Sequence, residues 1–317
     1  MIPLDLTVAI PTYNGVTRLP ILLEKLRQQV ETESLSWEIL AIDNNSTDNT
    51  LALLHEAQKT WPAPSCLRFA TEPQQGAAFA RIKAVREARG ELIGFLDDDT
   101  LPDPHWVAAA VNFGKTHPRA GAYGSRVRAN YEIEPPEGFD RIATFLAIVE
   151  RGTAPHIYQR QMKLLPPSAG LVVRRQVWQD CAPKKPFLTG RTRESILNSE
   201  DLEVIMHIQN AGWEIWYNPE MELYHQIPRD RLTRDYLLYL VRSTGLARHY
   251  IRMLRLKPWQ RPLLFPLGLA RDIGKATIYF LKHHQQLDRD TVAACEMEFL
   301  RSSIVSPFYL WKQSLKR

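Results

Sequence analysis

The stretch QGAAFARIKAVREARGELIGFLDDDT, residues 75–100, joins a helical pattern, a short apolar run and three adjacent acids. Its first part predicts a helix that ends at Gly90, and ELIGFL, residues 91–96, predicts a buried strand. The acids at residues 97–99 follow directly, although neighbouring carboxylates repel one another. Carboxylates at the end of a strand are tolerated in solvent and are useful where they hold a cation, so both interpretations are open.

The same alternation extends over the first 125 residues. Strands are predicted at residues 6–10, 37–43, 66–70 and 91–96. Helices are predicted at residues 19–30, 50–60, 75–90 and 103–115. Near-continuous apolar strands separated by helices indicate an α/β fold with a mostly parallel sheet, flanked by helices. Ligands of such sheets bind outside the carboxyl ends of the strands, where the segments PTYNG, DNNSTDNT and DDDT all fall.

The pattern is looser after residue 130. Strands are predicted at residues 169–175 and 213–218, and a helix at residues 199–212. Residues 221–231 form an alternating run that ends in a proline turn. From about residue 232 the chain is predicted to be mainly helical, with breaks at Lys257-Pro258 and Arg261-Pro262. The predicted domains are residues 1–230, with halves 1–125 and 126–230, and a helical C-terminal extension at residues 231–317.

Charge is distributed unevenly between these parts. Residues 231–317 carry 16 Lys and Arg against 6 Asp and Glu, whereas residues 1–230 carry 24 against 29. A basic extension suits an anionic membrane surface. Charge alone favours a solvated helical face, and the extension could also be a helical cap packed on the first domain or on a second subunit of a homodimer. Nucleic acid is not an expected partner, because the basic region contains no identifiable binding module.

The cysteines and the apolar runs bear on location. Cys66, Cys181 and Cys295 are widely spaced and odd in number, which favours a reducing compartment over a disulfide framework. The N-terminus has neither a basic region nor a long apolar stretch, so no signal peptide is expected. No apolar run approaches the roughly 20 residues that span a bilayer. We expect a cytoplasmic protein, peripheral on the inner face of the membrane if the basic extension docks there.

The acids after the predicted strand form a D-x-D pair, Asp97 and Asp99. Mg²⁺ and Mn²⁺ accept oxygen ligands, often one or two carboxylates with substrate phosphates completing the shell. An acidic, solvent-exposed turn before Pro102 is the alternative. Asp43, at the end of the second strand, could accept a hydrogen bond from a nucleobase imide, although the polar residues after it also suit helix capping and turns.

Two further patterns are candidates in the second half of the chain. Glu200 and Asp201 begin a predicted amphipathic helix. Acids in the first turn of a helix are stabilised by the helix dipole, which would explain them structurally. Alternatively, one of them is presented there as a general base. His225 would be an ordinary packed side chain in isolation and becomes a third metal ligand if the D-x-D pair holds a cation. Neither a P-loop nor G-x-G-x-x-G is present, so an ordinary dinucleotide site has no support.

Together these features resemble family 2 glycosyltransferases, which are inverting nucleotide-sugar enzymes with the Rossmann-like GT-A fold. The motifs run in order along residues 5–230. They are PTYN at 11–14, Asp43 within IDNNSTDNT, the block at 72–100 that leads into D-x-D, SAGLVVRR at 168–175, and SEDLE at 199–203. Ile82 departs from the pattern, because the family often has Asn after the arginine at that point.

The resemblance implies a role for each candidate residue. Nucleotide-binding residues would be Pro11, Tyr13, Asn14, Asp43, Arg81, Asp97 and Asp98. Ligands of Mn²⁺ or Mg²⁺ would be Asp99, Asp97 and His225. Asp201 would be the catalytic base, with Glu200 beside it. Asp98 would either take part in binding or face solvent.

The implied activity is inverting transfer of a sugar from a nucleoside-diphosphate sugar, with UDP favoured, to a hydroxyl of a glycan or lipid-linked acceptor. Such a reaction serves polysaccharide or glycolipid synthesis. One alternative is transfer to a polyprenyl phosphate, whose oxygen is already ionised and needs no base. Another is a non-catalytic nucleotide-binding scaffold that recruits partners through the basic extension.

Overall fold

The computed structural model describes residues 4–63, 65–160, 164–190 and 196–314. The strands are β1 (Leu4–Thr12), β2 (Trp37–Asp43), β3 (Cys66–Thr71), β4 (Gly90–Phe95), β5 (Thr100–Pro102), β6 (Ala120–Tyr131), β7 (His156–Ile157), β8 (Leu171–Arg174) and β9 (Glu214–Ile227). The helices are α1 (Leu19–Arg27), α2 (Thr50–Lys59), α3 (Ala77–Glu87), α4 (Trp106–Thr116), α5 (Arg175–Cys181), α6 (Glu200–Asn210), α7 (Arg234–Leu254), α8 (Arg261–His283) and α9 (Thr291–Ser314).

The first four strands pair in parallel, in the order β3-β2-β1-β4. Every residue of β2 is buried, as expected for a strand that is covered on both faces. Gly90 begins β4, whereas the sequence pattern placed it at the end of a helix. A Cβ there would lie 2.4 Å from the backbone nitrogen of Thr7, so only glycine allows this approach of β4 to β1.

Beyond β4 the sheet becomes mixed. The order continues β8-β6-β9-β5, and β8 runs antiparallel to both β4 and β6. The predicted α/β fold is therefore confirmed, with β1–β4 paired in parallel and β8 antiparallel to the strands on either side of it. The long strand β9 continues through Pro219, where the sequence pattern showed two separate runs.

Two compact units make up the chain. The first comprises residues 1–130, 147–192 and 200–226, and the second comprises residues 131–146, 193–199 and 227–317. The first unit contains most of the sheet, and the second contains α7, α8 and α9. The predicted extension at 231–317 lies in the second unit, together with two shorter segments.

Small residues allow close packing inside the second unit. A Cβ on Gly245 of α7 would lie 2.0 Å from Ser302 Oγ of α9, and Ser306 Oγ donates to the carbonyl of Leu246 at 2.5 Å. The predicted break at Arg261-Pro262 is instead the first turn of α8, where proline lacks only an N–H that has no helical partner. Within the described residues, no helix combines the length and apolar character needed to span a bilayer.

Candidate functional site

The carboxyl ends of β1, β2 and β4 bring the polar motifs to one edge of the sheet. Thr12 pairs with Asp43 in the parallel ladder, and the N–H of Asn44 donates to the carbonyl of Thr12 at 2.8 Å. Pro11 lies within the same ladder opposite Ile42. The turn after β4 contains the three acids. This is the edge at which ligands of α/β sheets bind.

Asp43 ends β2 and is almost completely buried. One carboxylate oxygen, Oδ2, accepts the N–H of Ser46 at 3.4 Å. The other, Oδ1, is buried and has no hydrogen-bond partner among the described residues. A buried acceptor without a donor is costly, so this oxygen fits a donor that a ligand would bring.

Asn14 joins two loops at this edge. Its amide oxygen accepts the N–H of Thr47 at 2.8 Å, and its own N–H donates to Ser46 Oγ at 2.9 Å. Its φ of +50° is in the left-handed region that asparagine tolerates. The observed contacts of Asn14 therefore hold the loop after β1 against the loop after β2. Tyr13, the residue before Asn14, is exposed, so its ring is accessible for stacking on a base.

The carboxylate of Asp98 is held by the protein on both oxygens. Arg18 donates from Nε to Oδ1 at 2.8 Å and from Nη2 to Oδ2 at 3.0 Å. Thr12 Oγ1 adds a bond to Oδ2 at 2.6 Å. Of the two possibilities left open by the sequence, solvent exposure is wrong, because the side chain is only 12% exposed. Gly15 packs against the same groups, since a Cβ there would lie 2.9 Å from Asp98 Oδ2.

Asp99 and His225 are brought together by the main chain. The N–H of Gln226 donates to the carbonyl of Asp99 at 2.8 Å, and β5 pairs Thr100 with His225. As a result Asp99 Oδ2 lies 3.5 Å from His225 Nε2. Carboxylate and imidazole suit a divalent cation in type. Among the described residues, no three His, Cys, Asp or Glu side chains are already arranged to hold one.

Arg81 of α3 connects the acids after β4 to the acids that begin α6. It donates from Nη1 to Glu200 Oε1 at 2.7 Å, and from Nη2 to Ser168 Oγ at 2.8 Å. Its Nη2 also lies 3.3 Å from Asp97 Oδ1. Burial alone would lower the pKa of Arg81, but the charges of Glu200, Asp97 and Asp201 outweigh it and raise that pKa. The guanidinium therefore stays charged and compensates several carboxylates.

Two of the acids around Arg81, Asp97 and Asp201, have altered acidity. Burial raises the pKa of Asp97 above its ordinary value; Arg81 opposes this, while Asp99 adds to it. Burial, followed by the charge of Glu200, raises the pKa of Asp201 to about 6, although Arg81 opposes the shift. Asp201 Oδ2 accepts the N–H of Ser168 at 2.8 Å, and Oδ1 accepts the N–H of Leu202 at 2.8 Å. A carboxylate has about four lone-pair sites, so acceptor capacity remains.

The structure thus groups the predicted residues into linked sets. Asp97, Glu200 and Asp201 surround Arg81, Asp99 lies beside His225, and Asp98 is held by Arg18. Arg18 was not a candidate from the sequence, and Thr12 lay in the PTYN motif without a role of its own; their contacts with Asp98 show what they do. Ser168 belongs to a segment that the sequence did mark, and its contacts now connect Arg81 to Asp201.

Curated proteins of similar sequence are glycosyltransferases. The chain is 24% identical over 177 residues to glycosyltransferase AglE of Haloferax volcanii, which is 56% of this chain and 55% of that protein. It is 27% identical over 109 residues to the undecaprenyl-phosphate 4-deoxy-4-formamido-L-arabinose transferase of Pectobacterium carotovorum, which is 34% of this chain and 33% of that protein. The chain therefore spans a third to just over half of the length of these relatives.

Solved structures with the same fold are GT-A glycosyltransferases. The mannosyltransferase PcManGT of Pyrobaculum calidifontis, in complex with GDP-Man and Mn²⁺, superposes with a TM-score of 0.61 at 18% identity, covering 97% of this chain and 88% of that chain. Residues 1–349 of Staphylococcus aureus TarS, in complex with UDP, superpose with a TM-score of 0.53 at 16% identity, covering 96% of this chain and 91% of that chain. At such identities the likeness shows the fold.

The family is established by a match along the sequence. The model of glycosyl transferase family 2 matches residues 7–173, just over half of the chain. That range contains most of β1, all of β2 to β4, the three acids and Arg81. The order of motifs, the GT-A fold and this match agree, and the chain belongs to glycosyltransferase family 2.

Proposed function

We propose that the chain is an inverting glycosyltransferase that moves a sugar from a nucleoside-diphosphate sugar to an acceptor hydroxyl. The observation that carries the proposal is the position of Arg81, which contacts Asp97 and Glu200 at once. Through this guanidinium the acids after β4 and the acids that begin α6 share one site. A donor-holding group and a base have to be neighbours for such a transfer.

The donor half of the proposed site combines Asp43, Asp97 and Asp99. The unpartnered Oδ1 of Asp43 would accept the imide N–H of the base, and Pro11 and Tyr13 would border it. Asp99, Asp97 and His225 would hold Mn²⁺ or Mg²⁺, which when bound neutralises charge on the diphosphate leaving group. The Mn²⁺ ion of the PcManGT complex supports this choice of metal.

Asp201 would act as the general base, and the charge of Glu200 would help to raise its pKa. Its raised pKa makes it a better proton acceptor than an ordinary aspartate, and its place at the start of α6 favours the ionised form. The acceptor hydroxyl would lose its proton to Asp201 and attack the anomeric carbon opposite the leaving diphosphate. Asp98 would support the site indirectly, because Arg18 and Thr12 fix it beside the strand ends.

The acceptor is proposed to be a glycan or a lipid-linked molecule in polysaccharide or glycolipid synthesis. The basic second unit would dock on the anionic inner face of the membrane, where lipid-linked acceptors are found. Transfer to a polyprenyl phosphate is the second candidate, supported by the activity for which the Pectobacterium relative is named. UDP remains the proposed nucleotide, and GDP has to be tested beside it because the PcManGT complex contains GDP-Man.

Calorimetric titration of UDP, GDP and dTDP, with and without Mn²⁺, tests the proposed function. One nucleotide is expected to bind only in the presence of the metal, and Asp99→Ala is expected to weaken that binding at least tenfold. Asp180→Ala, an exposed change on α5, is the matched control and should bind like the wild type. No binding of any nucleotide, with or without metal, would count against the donor site.

The pKa of Asp201 predicts how the rate depends on pH. A general base acts in its ionised form, so the raised pKa of about 6 places the loss of activity at higher pH than an ordinary aspartate would. We expect kcat/KM to be level above this pKa and to fall about tenfold per pH unit below it. A profile that stays level down to pH values near the ordinary pKa of aspartate, about 4, would contradict the assignment.

A further inference from the structure

The second unit contains a helix whose outward surface is unusually apolar. One side of α8 is packed, since Asp272 and Ala276 are buried and Asp272 Oδ2 accepts a bond from Arg252 of α7 at 2.7 Å. The opposite side contains large exposed side chains: Leu263 is 64% exposed, and Leu267 is 67% exposed. A continuous exposed apolar surface of this kind is typical of a site that binds a membrane or another protein.

The exposed apolar side chains lie on one face because of their spacing. Ile278 and Leu281 are 57% and 68% exposed, and they follow Leu267 at intervals of whole helical turns. Ala270 and Gly274 occupy the turns between them and add no polar group. We call this surface, formed by residues 263, 267, 270, 274, 278 and 281, the outer face of α8. It runs along nearly the full length of the helix.

Basic residues line one edge of the outer face. Arg271, Lys275 and Lys282 are exposed, and their spacing places them side by side along the helix. The only acid in the sequence of α8 is Asp272, which is buried and paired. Trp259, just before the helix, is 65% exposed. Tryptophan is enriched at the interface between a membrane and water.

We propose that α8 lies in the plane of an anionic phospholipid surface, with its outer face among the acyl chains and Arg271, Lys275 and Lys282 among the head-group phosphates. An exposed apolar stripe with cationic flanks is what such a helix needs. A second copy of the chain fits less well, because two outer faces packed together would also bring both basic edges together without an exposed acid on α8 to compensate them.

This inference rests on the proposed function only for its purpose, which is to bring the enzyme to lipid-linked acceptors. Co-sedimentation of the full chain with phosphatidylcholine vesicles, with and without phosphatidylglycerol, tests it. The wild type is expected to bind the anionic vesicles. Leu267→Asp/Ile278→Asp should lower the affinity at least tenfold. Lys275→Gln/Lys282→Gln should lower it by roughly fivefold per lysine and only for the anionic vesicles.

Ile21→Asp is the matched control, because Ile21 on α1 is 54% exposed and lies in the first unit. It should bind vesicles like the wild type. Equal binding by Leu267→Asp/Ile278→Asp and the wild type, or no vesicle binding by the wild type, would overturn the inference. So would a lipid-free dimer in sedimentation velocity that Leu267→Asp/Ile278→Asp converts to monomer.

Nucleotide titration of the same preparations separates this inference from the proposed function. None of these variants replaces a residue of the proposed nucleotide and metal site, so all of them should bind nucleotide and metal like the wild type. Vesicle binding without nucleotide binding would count against the transferase and leave the membrane surface standing. Nucleotide binding without vesicle binding would count against the membrane surface and leave the proposed transferase standing.

Discussion

Replacing Asp201 with Asn is expected to lower the transfer rate by about a hundred- to ten-thousand-fold while leaving nucleotide affinity unchanged. Asparagine keeps the shape of the side chain and a carbonyl oxygen for the N–H of Ser168, which Asp201 accepts at 2.8 Å. It cannot take a proton from the acceptor. The loss should therefore appear in kcat, measured with saturating donor, and calorimetric titration should show the nucleotide site intact.

The control for this substitution is Asp180→Asn, an exposed change on α5 in the same unit. It should transfer at the wild-type rate. Equal rates for Asp201→Asn and the wild type would contradict the general base. That result would favour a polyprenyl phosphate as acceptor, because its oxygen is already ionised and needs no base.

Replacing Arg81 with Met is expected to cost about 3–5 kcal/mol of the free energy of unfolding, since it removes the cation from a buried charge cluster. Its side chain is only 6% exposed and contacts Glu200 and Asp97. Without it these carboxylates lose their compensating charge. The pKa of Asp201 should also rise further, because Arg81 opposes its upward shift. Urea unfolding at neutral pH measures the first effect, and the pH–rate profile measures the second.

Lys83→Met is the matched control, since Lys83 lies on the same helix and pairs with Glu87 at 3.0 Å near the surface. That change should cost less than about 1 kcal/mol. Adding Glu200→Gln to Arg81→Met should recover part of the stability, because one fewer carboxylate is left without a partner. An unfolding midpoint for Arg81→Met equal to that of the wild type would contradict the proposed cluster.

The parallel half of the fold could be predicted because each of its strands is an apolar run bounded by turns. The pattern at residues 37–43 coincides with β2, all of which is buried. Strand β6 was not predicted, because its sequence AGAYGSRVRANY contains neither a continuous apolar run nor strict alternation. Its glycines are explained only by the neighbours they meet, as where a Cβ on Gly121 would lie 2.6 Å from Cβ of Trp213.

For the candidate site, the sequence supplied residue types but not partners. The pairing of Arg81 with Glu200 joins positions 119 residues apart, and Arg18 with Asp98 joins positions 80 apart. No local spacing rule reaches over such distances, because the pairing depends on which strands the intervening chain places side by side. The three acids looked alike in the sequence, and their different partners separate them in the structure.

The ladder between β5 and β9 also has a consequence for how family members diversify. Asp99 and His225 stay adjacent because of local pairing, such as Leu101 with Tyr224, and a slip of one residue would turn His225 to the opposite side of the sheet. Evolution can therefore lengthen, shorten or replace loops between these two strands without moving the pair. Changes in those loops would alter the surface around the site and leave the proposed metal pair in register.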